Sequence, residues 1–152
     1  MEKKITIQEL LFNRGLNKDD KILLVRHKDN REIKTIRGVQ YTKSLYDMYR
    51  YEPELFLEYQ AEQADDKFKG AQYIVSFLGE EGTRSRFLGV YRIEETITND
   101  PFSPFYYKMS KVNGFDNLKE KVIVDWGKGT LSWCQGIHNE KEIIEIVPDF
   151  EN

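Results

Sequence analysis

The sequence predicts an α+β fold: a mostly antiparallel, strongly twisted sheet or small β-barrel, with helices toward the N-terminus. Three observations predict it. Apolar residues recur at helical spacing near the N-terminus and again over residues 44–68, and the pattern changes to short strand-like runs from Ala71 onward. The five or six runs that follow are separated by short polar turns rather than by helices, which argues against a doubly wound parallel sheet. A length of 152 residues makes one domain, 1–152, able to bury roughly two-thirds of its unfolded surface.

The elements follow in chain order. In "TIQELL", Thr6 can cap a helix and Glu9, three residues later, completes a capping box. Ile7, Leu10 and Leu11 share one face, and Gly15 stops the helix. "KILLVRH" is a short apolar run with β-branched members and reads as a strand. In "SLYDMYRYEPELFLEYQAEQADDKF", Leu45, Met48 and Tyr49 fall at i, i+3, i+4. Pro53 opens a second helix with Leu55, Phe56 and Tyr59 on its apolar side and Glu52, Glu54, Glu58 and Glu62 outside; Gly70 ends it. "QYIVSFL" and "FLGVYRI" flank the turn "EEGTRSR" as a hairpin, and Gly89 within it signals a bulge or a close approach. After the loop "NDPFSP", "FYYKMSKV" is a third strand. "VIVDW" and "EIIEIV" are two more, with "LSWCQ" as an optional short strand between them.

Composition excludes several classes. No apolar run approaches the roughly 20 residues of a spanning helix, and "MEKKITIQELL" lacks the apolar core of a signal peptide. The single cysteine, Cys134, allows no intrachain disulfide, which fits a cytoplasmic location. Two histidines, His27 and His138, and one cysteine make no metal set of recognisable spacing, and no cofactor is implied. "WGKGT" lacks the spacing of a phosphate loop and leads into "LSWCQ" rather than into a helix. Cys134 reads as a small core residue rather than a nucleophile.

Charge is uneven although the net is -3. Residues 1–40 carry ten Lys/Arg against six Asp/Glu, and residues 41–80 carry four against eight. The densest positive stretch is "KILLVRHKDNREIKTIR", Lys21 to Arg37. Arg26, His27, Lys28 and Arg31 there are candidates for contact with a polyanion, against the competing reading of a solvated charged surface. Tyr91 with Arg92, and Trp126 and Trp133 around a turn containing Lys128, place flat rings beside donors. That combination recognises bases outside a duplex. The alternative is that the indoles anchor a hairpin to the core, to which Trp133 leans. Alternation along Val122, Val124 and Trp126 puts Trp126 either over the core or in a cavity at the sheet's end, and we take the cavity.

Four stretches, "LLVRHKDNR", "LEYQAEQADDKF", "YIVSFLGEEGTRSRFLGVYRI" and "VIVDWGKGTLSWCQ", followed by "EIIEIVP", resemble the N-terminal accessory domain of bacterial GIY-YIG nuclease proteins. The resemblance covers about Leu23 to Pro148. "GVY" at Gly89 to Tyr91 looks like half of the nuclease signature, but no "YIG" follows it and "YIV" at Tyr73 precedes it. In those relatives the nuclease follows the "EI-P" strand, whereas this sequence ends at Asn152. The resemblance therefore implies a non-catalytic module. Its expected partner is DNA, with a modified or flipped base as one target, alongside a nuclease domain or partner nuclease in restriction or defence, with no membrane. The fold expected by analogy is PUA-like or SRA-like. The acidic helix face favours an alternative, a protein-interaction or oligomerisation module without nucleic-acid affinity.

Overall fold

The computed structural model describes residues 5–28, 33–127, 134–137 and 141–146. Helix α1 (Ile7–Asn13) begins where the cap predicts: Thr6 is extended, and its Oγ1 accepts from the Glu9 N–H at 3.3 Å. The helix ends because Gly15, at φ 105°, turns the chain left-handed. The Leu16 N–H then donates to the Leu11 carbonyl and the Gly15 N–H to that of Phe12, both at 3.2 Å. This pairing satisfies carbonyls that a helix end leaves open, and it sets Leu16 into the core beside Ile7 and Leu11.

Strand β1 (Ile22–Lys28) leads into a two-stranded ribbon, β2 (Lys34–Ile36) and β3 (Val39–Tyr41), and then into helices α2 (Leu45–Tyr51) and α3 (Pro53–Ala61). Glu52 closes α2 and precedes Pro53, whose missing N–H is harmless in the first turn of α3. Helix α3 stops at Ala61, well before the expected Gly70. The next two residues pair instead as strand β4 (Glu62–Gln63) with Tyr106 and Phe105, so a sheet edge outcompetes the helical pattern. Strands β5 (Tyr73–Gly79), β6 (Arg84–Ile97), β7 (Phe105–Lys111), β8 (Val122–Asp125), β9 (Cys134–Gly136) and β10 (Ile143–Ile146) follow.

Eight strands form one sheet in the order β10-β8-β6-β5-β1-β9, with β7 paired to β6 and β4 to β7. Along one edge of β6, residues 84–86 pair with β8 and residues 91–97 with β7, so the sheet forks there and curls into about half a barrel. Two bulges assist the curl. Leu88 is the extra residue between the Ser76–Gly89 and Phe77–Phe87 pairs, and Glu94 the extra one between Ile93–Met109 and Glu95–Lys108. The fold is thus α+β and mostly antiparallel. Strands β1 and β5 are the one parallel pair among the described strands; the ribbon and helices between them make the crossover that parallel pairing requires.

Both faces of the sheet are buried. Leu24, Val75, Phe77, Phe87 and Val124 pack on one side with α1, while Val25, Ile74, Leu88 and Tyr107 pack on the other with α2 and α3. Burial on both sides explains why "YIVSFL" is an almost unbroken apolar run. No helix among the described residues is long and apolar enough to cross a membrane.

Candidate functional site

The basic segment expected to face a polyanion is largely engaged in the fold. Arg26 crosses Gly79: its Nε donates to Ser85 Oγ at 2.7 Å, and its Nη2 lies 3.2–3.4 Å from the carbonyls of Glu80, Gly82 and Arg84. A Cβ on Gly79 would meet the guanidinium carbon at 2.7 Å, so glycine is what lets the arginine lie flat here. His27, one residue on, points to the opposite face and is buried. Its Nε2 is 2.8 Å from Gln60 Oε1, with Phe56 and Tyr59 packed around the ring. Burial pulls its pKa down to about 4, so the imidazole is neutral near pH 7 and unsuited to neutralising a phosphate. Lys34 is buried with Nζ donating to the Lys43 carbonyl at 3.1 Å. Arg37 is clamped by Asp100 at 2.7 and 2.9 Å. Lys28 is exposed beside Glu80 and Glu81. Arg31 lies outside the described residues.

The cavity expected at Trp126 is also corrected. Its indole is 3% exposed and belongs to the core on the α1 side, where it packs edge-on against Phe77 at 5.7 Å. The Lys141 ammonium sits 5.2 Å from the ring centroid and donates to the Trp126 carbonyl at 2.9 Å. The alternation of Val122, Val124 and Trp126 holds, but β8 lies between β6 and β10, so its inward face meets core rather than a void. Lys128 and Trp133 lie outside the described residues, as does His138. Arg92 is exposed on β6, on the face opposite Tyr91.

Tyr91 is the sequence-predicted aromatic residue that lines a cavity; Arg26 and Lys28 border a separate polar recess of about 550 Å³ with Glu80 and Glu81. A space of about 270 Å³ opens where the α2–α3 junction crosses β6. Tyr49 of α2 and Leu57 of α3 form its sides, and Leu88 and Tyr91 of β6 its floor. The Tyr49 hydroxyl donates to the carbonyl of the bulge residue Leu88, which fixes that ring. Tyr91 lies against Gly89, where an added Cβ would be 3.5 Å from the phenol oxygen. It is 7% exposed, yet its hydroxyl makes no hydrogen bond among the described residues. Since no fully buried side-chain polar atom among those residues lacks a partner, this oxygen keeps accessible surface. Burial holds both phenols far above the ordinary tyrosine range, so both are neutral donors.

The rim of this cavity is polar. Arg50, Lys111 and Lys119 surround it, with Glu54 as the one acidic lining residue. Lys111 pairs with Asp116, and Arg50 Nη1 is 3.2 Å from the Tyr46 hydroxyl, which orients both cations while leaving them exposed. Tyr49 was legible in the sequence only as a residue of an apolar helix face; Lys111 and Lys119 carried no signal, because nothing local ties them to Tyr91. Adjoining it around α3, and sharing Pro53, Glu54 and Leu57 with it, a larger, shallower cleft of about 780 Å³ is lined by Tyr41, Tyr51 and Leu55 with Glu52 and Glu58.

Among the described residues, no group of three or more His, Cys, Asp or Glu is arranged to hold a metal. Cys134, on β9, is half-buried, and burial pushes its thiol pKa up, away from a reactive thiolate. No protein-family model, no curated protein and no solved structure matches the chain, and the chemistry of the site stands on these residues alone.

Proposed function

We propose that the chain is a non-catalytic nucleic-acid reader that receives a base, flipped or modified, in the cavity beside Tyr91. The observation that carries this reading is a small aromatic-floored cavity with one unpartnered, nearly buried hydroxyl and three cations at its rim. A base held out of its stack gains about 1–3 kcal/mol from an aromatic platform, and a side-chain hydroxyl reads its edge. At about 270 Å³ the cavity lies just below the roughly 300–1,000 Å³ of drug-sized sites, which suits a single heterocycle. The resemblance to accessory domains of GIY-YIG nucleases supplies the setting: cutting falls to a nuclease domain or partner nuclease, in restriction or defence.

The test is binding of labelled single strands and of duplexes carrying unmodified, methylated, hydroxymethylated or glucosylated cytosine. Lys111→Ala with Lys119→Ala is expected to weaken binding and to make the salt dependence shallower by up to about one in log–log slope, since a lost phosphate contact removes about 0.7–0.9. Unchanged affinity and slope would remove the rim from the interface. The adjoining cleft favours a second reading, a protein-interaction module, because Tyr51 is 73% exposed there amid carboxylates. A stable dimer with no DNA affinity would favour that reading instead.

A further inference from the structure

We infer that the cavity beside Tyr91 takes a single nucleotide unit, one planar base with one phosphate, and that a free nucleoside monophosphate fills it as a flipped nucleotide does. The inference rests on the nucleic-acid reading and narrows it. Three observations carry it.

The first is the distribution of usable positive charge. Arg26 and Arg37 hold turns, Arg84 pairs with Glu145, and Arg86 pairs with Glu80. None of these four arginines lines the cavity, whose lining cations are Arg50, Lys119 and Lys111, the last paired with Asp116. The second is the charge beside it. Glu54 stands at the rim, and Glu52 and Glu58 line the adjoining cleft, so a strand continuing past α3 would run its next phosphates against carboxylates. The cations that line the cavity, Arg50, Lys111 and Lys119, suffice for about one phosphate.

The third is the polar equipment of the floor. The Tyr49 hydroxyl is already bonded to the Leu88 carbonyl, which leaves the Tyr91 hydroxyl as the free side-chain group at the bottom of the cavity. A hydroxyl donates or accepts as it rotates. It can therefore meet the edge of any base that presents a polar atom, and it discriminates weakly between bases. A site of this kind requires a ring, a polar edge and a phosphate, but no particular sequence.

The experiment titrates the protein by calorimetry with the four deoxynucleoside 5′-monophosphates, the four nucleosides, inorganic phosphate and a short single-stranded oligonucleotide. Several monophosphates are expected to bind within about tenfold of one another, and about tenfold or more tighter than the matching nucleosides. Tyr91→Phe should weaken monophosphate binding about threefold to tenfold without lowering the melting temperature, because the lost hydroxyl bonds no described protein group. Lys111→Ala with Lys119→Ala, both exposed positions, should bring the monophosphates most of the way down to nucleoside affinity, with Arg50 left at the rim. Oligonucleotide binding that needs Tyr91, with no monophosphate binding at about millimolar concentration, overturns the inference and keeps the reader. Monophosphate binding without oligonucleotide binding keeps the inference and removes the nucleic-acid reading. Inorganic phosphate binding as tightly as the monophosphates, or no binding by any titrant, overturns the inference.

Discussion

At the scale of single residues, His27 is the most exacting. Its imidazole sits among Phe56, Tyr59 and Gln60, and Gln60 Oε1 accepts from Ser76 as well as facing His27 Nε2. Burial lowers the pKa to about 4 from 6.5, so the unfolded chain binds a proton at this residue between those values while the folded one does not. Stability from this group is therefore complete above about pH 6.5 and falls as the pH drops toward 4, by roughly 3 kcal/mol in all. We expect urea unfolding at pH 7.5, 5.5 and 4 to show the wild type losing this increment relative to His27→Gln. A difference between the two proteins that does not change with pH would contradict a buried neutral imidazole. The sequence placed His27 correctly at the end of a strand. Which face it took depends on α3 covering it, and no residue near position 27 records that.

At the scale of elements, the β2–β3 ribbon shows how a basic residue becomes structural. Arg37 and Gly38 form its two-residue turn, both at positive φ (49° and 81°), the left-handed geometry that such tight hairpins need. Asparagine or aspartate usually takes the first of these positions, so "IRGV" carried a weak hairpin signal and the ribbon was not read from the sequence. Arg37 tolerates the conformation because its neighbours hold it there. Its own N–H donates to Glu62 Oε1 at 2.9 Å, and its guanidinium stacks 4.4 Å from the Tyr106 ring centroid and 4.8 Å from that of Phe102. Gly38 lies under Phe102, where a Cβ would come within 2.9 Å of the ring. Asp100 closes the arrangement, its pKa held down to about 2 by hydrogen bonding to Arg37, with the Phe102 and Ser103 N–H groups also donating to it. Asp100→Asn retains an acceptor but loses the charge, and it is expected to cost about 1–2 kcal/mol in chemical unfolding. A loss below about 0.3 kcal/mol would show that the aromatic stack alone docks the ribbon. By contrast, α1 was legible at its start and its stop, because Thr6 and Gly15 act on backbone groups within a few positions of themselves; the reciprocal bond expected from the Glu9 side chain is not formed.

At the scale of the whole molecule, the sequence conveyed the class and the order of elements but not how the long-range contacts divide the residues between core and surface. The shift from helical spacing to strand-like runs at Ala71 is local, and it yields the α+β arrangement directly. The fork of the sheet along β6 is not local: it depends on β7 and β8 sharing one edge of a 14-residue strand. The same fork decides the aromatic residues. Trp126 follows an alternating run and was expected at the sheet's end, yet β10 beyond β8 and Lys141 over the ring leave it within the core. Tyr91 sits where α2 and α3 pass over the sheet without filling it, which is why it, rather than an indole, lines an open space. The charge asymmetry along the chain was real, but the folded molecule uses much of the N-terminal surplus internally and leaves Arg50, Lys111 and Lys119 around Tyr91. The central claim is that this cavity is the ligand site. The most direct measurement is amide chemical-shift mapping of isotope-labelled protein titrated with a short single-stranded oligonucleotide. The account predicts that the largest perturbations fall on Tyr49, Leu57, Leu88, Tyr91 and Lys111, with Val124 and Trp126 little changed. Perturbations centred on Trp126 and Gly127, or confined to the cleft at Tyr41 and Tyr51, or none at a saturating concentration, would contradict it.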